Sequence, residues 1–278
     1  MEAILIGTAQ DAGVPQTGCY CPRCTRARGN AYFRHYTAAL GLVDRVTQSY
    51  WLIDATPDFR EQLHLMHEAA PDCTLRGIFL THGHIGHYTG LIHIGKEAMN
   101  THDLPIYATA SLCTFLRNNG PWSLLVSNGN INLCELQPEQ AILLGDVKIT
   151  PIPVPHRGEF TDTMAYALRG SNLSLFYCPD IDRWEQWRYD VREVVSHNDI
   201  SLLDGSFFSG NELPGRDMSK IPHPQVTDTV NRLKGVQTQV YFIHFNHSNP
   251  LLDANSPERH WLQSQGFAVG EQGQRWKL

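Results

Sequence analysis

Gly77-Ile78-Phe79-Leu80-Thr81-His82-Gly83-His84-Ile85-Gly86-His87 is the stretch on which the reading of this chain turns. A short apolar run reads as a buried strand, and the turn after it carries His82, His84 and His87. A strand end followed by glycines lets several rings converge on one point, and a neutral imidazole offers one ring nitrogen to a cation. Solvated surface histidines are the alternative, since the chain has 14 histidines. Packing alone, however, does not require His-x-His-x-x-His at the end of a buried strand. The stretch predicts a metal site.

Outward from that turn, short apolar runs recur at 3–6, 50–53, 105–108, 147–152, 173–177, 200–203 and 240–243, beside the run at 77–80, and read as strands. Mixed segments with helical spacing lie between them at 57–70, 90–101, 111–119, 184–196 and 226–234. Alternating strands and helices predict a layered α/β architecture in which helices cover sheet faces. No repeat, low-complexity tract or linker interrupts the pattern, so a single domain over 1–278 is expected, with surface loops at 118–121 and 214–215. Ionisable residues gather at the strand ends: Asp54 after Ile53, His156 after Pro155, Asp180 after Pro179, Asp204 after Leu203 and His244 after Ile243. One edge of the sheet is therefore expected to carry the chemistry, because rigid strands fix geometry while loops supply side chains. For Asp54 or Asp204 alone, a bond to nearby backbone is an equally good reading.

A hydrophobic share of 42% is ordinary for a globular protein, and a net charge of -6 with scattered lysine and arginine gives no basic stripe to follow a phosphate backbone. Nucleic acid is excluded as an expected partner. The N-terminus lacks a basic start and no apolar stretch of about 18 residues occurs, so a soluble, cytoplasmic protein without membrane contact is expected. Seven cysteines is an odd number, which does not suit a disulfide framework. Cys73, Cys113, Cys134 and Cys178 sit in or beside apolar sequence, where free cysteine acts as a small hydrophobe. Cys19, Cys21 and Cys24 form Cys-x-Cys-x-x-Cys, which suits three thiolate ligands of a zinc ion or a reactive redox cluster.

With those residues in place, the chain resembles the metallo-β-lactamase superfamily, and within it the pyrroloquinoline-quinone (PQQ) biosynthesis protein B family. Gly13-Val14-Pro15-Gln16, Asp54-Ala55-Thr56-Pro57-Asp58-Phe59-Arg60, Leu80-Thr81 with His87-Tyr88-Thr89-Gly90-Leu91, Asp204-Gly205-Ser206-Phe207 and His244-Phe245-Asn246-His247-Ser248-Asn249-Pro250 carry the resemblance, from about residue 3 to the C-terminus. It implies an αββα sandwich of two mixed sheets flanked by helices. It also implies a first metal position at His82, His84 and His156 and a second at His87 and His244, with Asp180 bridging and Asp54 behind the ligands. The superfamily motif is His-x-His-x-Asp-His, and this chain has Gly86 where that aspartate stands. The loss of one carboxylate implies a weaker second position, so that one or two ions of zinc, iron or manganese are expected. Family B proteins carry fewer histidines in this turn, so their activity need not transfer unchanged. A cyclic-phosphodiesterase branch of the superfamily pairs a three-cysteine cluster with a late His-x-x-His, which implies His247 as the fourth ligand of a structural zinc at Cys19, Cys21 and Cys24.

Three functions are compatible with this reading. In the first, a hydrolase cleaves a phosphodiester, ester or lactone through a metal-bound hydroxide, with Asp180 orienting the nucleophile and His223, in Lys220-Ile221-Pro222-His223-Pro224, giving a proton to the leaving group. In the second, implied by the resemblance to family B proteins, an iron-dependent hydroxylase acts on a tyrosine-derived precursor. The third is a non-catalytic metal-binding module. A small-molecule substrate is the expected partner, and a homodimer is compatible with the sequence. The loops at 122–131 and 207–218 are candidates for lining a substrate pocket.

Overall fold

Apolar side chains leave both faces of the central strands, and both faces are covered. In the strand Ser174–Cys178, Leu175 and Tyr177 turn one way into the core between two sheets, while Phe176 and Cys178 turn the other way toward helices. A strand buried on both sides reads as a continuous apolar run, which is why these segments stood out without polar alternation.

The computed structural model describes residues 1–213 and 215–278. In chain order the elements are β1 (Glu2–Gly7), α1 (Pro22–Gly29), β2 (Ala39–Asp44), β3 (Ser49–Ile53), α2 (Phe59–Ala69), β4 (Thr74–Phe79), α3 (Ile85–Tyr88), β5 (Leu104–Thr109), α4 (Ala110–Asn118), α5 (Trp122–Ser127) and β6 (Ile131–Leu136). The second half continues with β7 (Ile142–Leu144), β8 (Val147–Val154), β9 (Thr163–Arg169), β10 (Ser174–Cys178), α6 (Val191–Ser196), β11 (Ile200–Asp204), α7 (Val226–Leu233), β12 (Gln239–Ile243), α8 (Pro257–Ser264), β13 (Ala268–Val269) and β14 (Arg275–Lys277). One sheet runs β14-β1-β2-β3-β4-β5-β6 and the other β13-β12-β11-β10-β9-β8-β7. Each is mixed: β3 to β6 pair in parallel, as do β10 to β13, and the remaining pairs are antiparallel. Leu5, Leu40, Ile53 and Phe79 of the first sheet meet Ile149, Tyr166, Leu175 and Leu202 of the second in the middle layer. Phe59 and Met66 of α2 and Leu112 and Leu116 of α4 cover the first sheet from outside. Val191 of α6, Val226 and Val230 of α7 and Leu262 of α8 cover the second. This is the αββα sandwich.

Two expected helices differ from the structure. The segment 90–101 holds only a 3-10 turn, Thr89–Ile94, because Gly90 N–H bonds to Ala55 O (2.9 Å) and Gly95 leaves the helical conformation. The segment 184–196 breaks into a 3-10 turn, Trp184–Gln186, and α6, which Asp190 caps by accepting from Arg192 N–H at 2.8 Å. The indole of Trp184, which opens the 3-10 turn, donates to Thr229 Oγ1 (2.8 Å), and that of Trp187, just after the turn, donates to Pro153 O (2.7 Å). The loop at 118–121 joins α4 to α5, whereas Pro214 of the expected 214–215 loop lies outside the described residues. Among the described residues no helix is long and apolar enough to cross a membrane.

The topology sets the site. Strands β1, β3, β4, β8, β10, β11 and β12 all end on one rim, and the polar residues that follow them face one another across the gap between the sheets. Backbone bonds close that gap: Gln10 N–H to Phe245 O (2.9 Å), Phe245 N–H to Thr8 O (2.8 Å) and Met164 N–H to Thr81 O (2.9 Å).

Candidate metal centre

The turn after β4 bends sharply enough to bring its rings together because Gly83 sits against Thr161. Gly83 N–H donates to Thr161 Oγ1 at 2.8 Å, and a Cβ at Gly83 would stand 2.9 Å from the Thr161 side chain. His82 Nε2 and His84 Nδ1 then lie 2.9 Å apart, His156 Nε2 comes within 3.0 Å of His84 Nδ1, and Asp180 Oδ2 lies 3.4 Å from His82 Nε2 and 3.1 Å from His156 Nε2. Four donor atoms thus share one small space. His87 Nε2 and His244 Nε2 flank the same carboxylate oxygen at 3.9 and 3.8 Å. The structure brings all six expected ligands together.

Each ring is oriented from behind. His87 Nδ1–H donates to Asp54 Oδ2 at 2.7 Å, and Asp54 also accepts from Thr81 N–H at 2.8 Å. The Thr81 hydroxyl donates to Asp54 (3.0 Å) and so accepts from His82 Nδ1–H at 2.9 Å. Likewise the Ser206 hydroxyl donates to His244 O (3.1 Å) and accepts from His244 Nδ1–H at 2.9 Å. His156 Nδ1–H donates to Asp182 Oδ1 (2.7 Å), and His84 Nε2–H donates to Glu159 Oε2 (2.9 Å). In all five rings the outward nitrogen is the donor, so the inward nitrogen is left with a lone pair. Asp54 and His244 hold left-handed backbone, φ 74° and 63°, a strain of about 1–3 kcal/mol each that surrounding bonds must sustain.

Several inward atoms have no hydrogen-bond partner. His87 Nε2, His244 Nε2, Asp180 Oδ1 and Asp11 Oδ1 are buried without a hydrogen bond. Inward lone pairs and carboxylate oxygens repel one another unless a cation or protons sit among them, and the donor set suits zinc, iron or manganese. Without an ion, protons take that role. Burial opposes charge on His156 and His87, but Asp180 and Asp182 outweigh it at His156 and raise it to about 9, and Asp54 and Asp11 hold His87 well above the ordinary imidazole range. His82 is driven the other way by burial and by the charge on His87. Burial also opposes charge on Asp180, yet His156, His244 and His223 keep its carboxyl well below the usual range.

His223 stands at the edge of this cluster. Its Nδ1 lies 2.8 Å from Asp204 Oδ2 and 3.3 Å from Asp180 Oδ1, and its Nε2 lies 3.4 Å from the Gln10 amide. Burial is again overcome by the two carboxylates, which raise the ring above its ordinary value. Asp204 thus holds His223, receives Ile181 and Ser206 N–H, and also lies within reach of Asp180 and His244. Beside His223 a cavity of about 460 Å³ is lined by Arg216, Asp217 and Met218 of the loop at 207–218 and by Arg183, Trp184 and Arg232. The loop at 122–131 contributes nothing to that cavity. It forms α5, and Trp122 packs on Tyr88 with ring centroids 4.8 Å apart.

A second donor group lies apart from the first. Cys19, Cys21 and Cys24 Sγ stand 3.6, 3.7 and 3.6 Å from His247 Nδ1. A tetrahedral zinc with Zn–S of about 2.3 Å and Zn–N of about 2.0–2.1 Å requires a sulfur-to-nitrogen edge of about 3.6 Å. Burial raises the Cys21 thiol, but hydrogen bonds from the Cys24 backbone and the His247 ring outweigh it and bring Cys21 down to about 6. Arg23 locks the cluster to the far segment by donating to His247 O at 2.6 Å.

Sequence reasoning passed over Asp11, Thr81, Glu159, Asp182 and Ser206. Asp11 lies four residues beyond the end of β1 at Gly7, whereas Asp54 and His244 directly follow their strands, so it gave no strand-end signal to read. The others act on the ligands from outside and have no spacing of their own to betray them.

The family model for the Beta-lactamase superfamily domain matches residues 50–245. Coenzyme PQQ synthesis protein B of Methylobacterium sp. (strain 4-46) is 26% identical over 302 aligned positions, covering 98% of this chain and 98% of its own. The protein of that name from Nitrosococcus oceani is 26% identical over 306 positions, covering 97% of each. Among solved structures, zinc-bound PqqB from Methylobacterium extorquens matches with a TM-score of 0.84 at 19% identity over 100% of both chains. A diphosphatase of the PhnP family matches with a TM-score of 0.70 at 22% identity, covering 99% of this chain and 97% of that one.

Proposed function

Because the chain belongs to the metallo-β-lactamase superfamily and is similar to coenzyme PQQ synthesis protein B along its whole length, we propose that it is a metal-dependent hydrolase of a phosphodiester, an ester or a lactone. The observation that carries this reading is the inward-facing set of His82, His84, His156 and Asp180 with His223 beside it. These four residues would hold the ion, which when bound supplies a Lewis acid and lowers the pKa of water toward about 7. Asp180 Oδ2, central among the rings, orients a nucleophilic water. His223 has its Nδ1 tied to Asp204, so Nε2 is the nitrogen that passes a proton to the leaving-group oxygen. The carboxylates that raise His223 keep that proton in place until it is needed. Asp54, Asp182, Ser206, Thr81 and Glu159 fix the tautomers, so the ligand rings do not compete as acids. The cavity beside His223 carries arginines together with Glu185, Asp217 and Asp228, which suits a small polar molecule.

The test is cleavage of bis(p-nitrophenyl) phosphate, p-nitrophenyl acetate and a homoserine lactone by protein loaded in turn with zinc, iron and manganese. Turnover of at least one is expected, with His223→Ala lowering kcat about 100- to 10,000-fold at unchanged metal content. Metal-loaded protein that cleaves none of the three would contradict hydrolysis. The similarity to coenzyme PQQ synthesis protein B favours a second reading, iron-dependent hydroxylation of a tyrosine-derived compound. Oxygen consumption coupled to product under ferrous loading, with inert zinc protein, would select it.

A further inference from the structure

Asp11 takes no part in the chemistry described so far, yet its carboxylate points into the centre. Asp11 Oδ1 lies 3.5 Å from His87 Nε2 and 3.9 Å from His244 Nε2, and all three atoms are buried without a hydrogen-bond partner. Asp180 Oδ2 completes the group at 3.9 and 3.8 Å from the same two ring nitrogens. Two donors sharing one divalent ion stand about 3–3.5 Å apart; the Asp11–His87 spacing of 3.5 Å meets that range and the other three, at 3.8 and 3.9 Å, lie a few tenths of an ångström beyond it. His87 already has its tautomer fixed by Asp54, so Asp11 is not needed for that purpose.

The room for this carboxylate is made by Gly86. A Cβ at that position would stand 2.2 Å from Asp11 Oδ1 and 2.7 Å from Asp11 Cα. A side chain at 86 and the Asp11 carboxylate therefore exclude each other. The β1 end is held where Asp11 must be, because Gln10 N–H and Thr8 O bond to the Phe245 backbone next to His244, and Thr37 Oγ1 donates to Asp11 O at 3.4 Å.

We propose that Asp11, with His87, His244 and Asp180, binds a second divalent ion, so that a carboxylate from the β1 loop does what the residue at position 86 cannot. Two carboxylates and two neutral imidazoles balance the charge of such an ion, and make this position richer in oxygen than the one at His82, His84 and His156. The proposal rests on the metal-centre reading above and adds a count and a ligand to it.

The experiment is zinc stoichiometry and affinity by equilibrium dialysis on full-length protein stripped with a chelator, read beside manganese electron paramagnetic resonance. Wild type is expected to hold three zinc ions, one of them at Cys19, Cys21, Cys24 and His247, and to show a spin-coupled manganese pair. Asp11→Ala is expected to hold two, with the lost ion bound at least about a hundredfold more weakly, more than an outer partner's loss costs, and with the coupled signal gone. The Cys3His zinc remaining in the variant reports that it has folded. Gly86→Ala is an independent probe: its methyl displaces the Asp11 carboxylate and should lose the same ion with Asp11 still present. Three ions of unaltered affinity in both variants would overturn the assignment of Asp11. Two ions in wild type would overturn the second position and leave the first standing, whereas one ion in wild type would sink the centre as a whole.

Discussion

Each imidazole of the centre has its outward nitrogen spent on a fixed acceptor, and this decides how the site answers to pH. In the ion-free protein His156, raised to about 9, and His87, held well above its ordinary range, carry protons at neutral pH on nitrogens that a cation needs. The sign follows: protons compete with the ion below these values, so affinity tightens as pH rises from about 6 to 9, and uptake at pH 7 releases on the order of one proton per ion. Calorimetry in buffers of different ionisation enthalpy measures this release, and a value near zero would contradict the assigned protonation. His82, His84 and His87 stood out in the sequence because a turn crowded with imidazoles has no packing explanation, and His156, Asp180 and His244 through their places after apolar runs and the family resemblance. Asp11 did not, because its closeness to His244 exists only after the β1 end has bonded to the Phe245 backbone.

Elements were legible to the extent that burial wrote them as apolar runs. Strands β3, β4, β10, β11 and β12 fall where apolar runs predicted them. β2 escaped because Gly41 interrupts it, and that glycine is needed where Met66 of α2 leans on the sheet, a Cβ there being 2.3 Å from the Met66 sulfur. β9, Thr163–Arg169, mixes small, polar and apolar residues and gives no run to read. Helix α1 has little apolar character, and the structure shows what else tethers it: Cys21 directly precedes it, Cys24 lies within it, and both face His247. Zinc binding by this group would tie the segment near α1 to the C-terminal part of the chain. Cys24→Ala is therefore expected to remove one zinc, lower Tm by about 4–8 °C for a loss of about 2 kcal/mol, and open the region around 12–30 to proteolysis. Unchanged zinc content and melting would show that the cysteines hold no structural ion.

At the scale of the whole molecule, two mixed sheets are stacked so that seven strands end on one rim, and the helices outside bury what the sheets leave exposed. The rim holds carboxylates from both sheets' loops against five rings, an arrangement that costs stability unless something positive fills it. Asp54 is fully buried at that rim and His244 holds left-handed backbone there, both costs that a bound cation would offset. The most direct measurement is an anomalous-difference map at the zinc absorption edge from crystals of zinc-loaded protein. It is predicted to show one peak among His82, His84, His156 and Asp180, a second among Asp11, His87, His244 and Asp180, and a third among Cys19, Cys21, Cys24 and His247. A map with no peak between His82, His84 and His156 would contradict the account at its root.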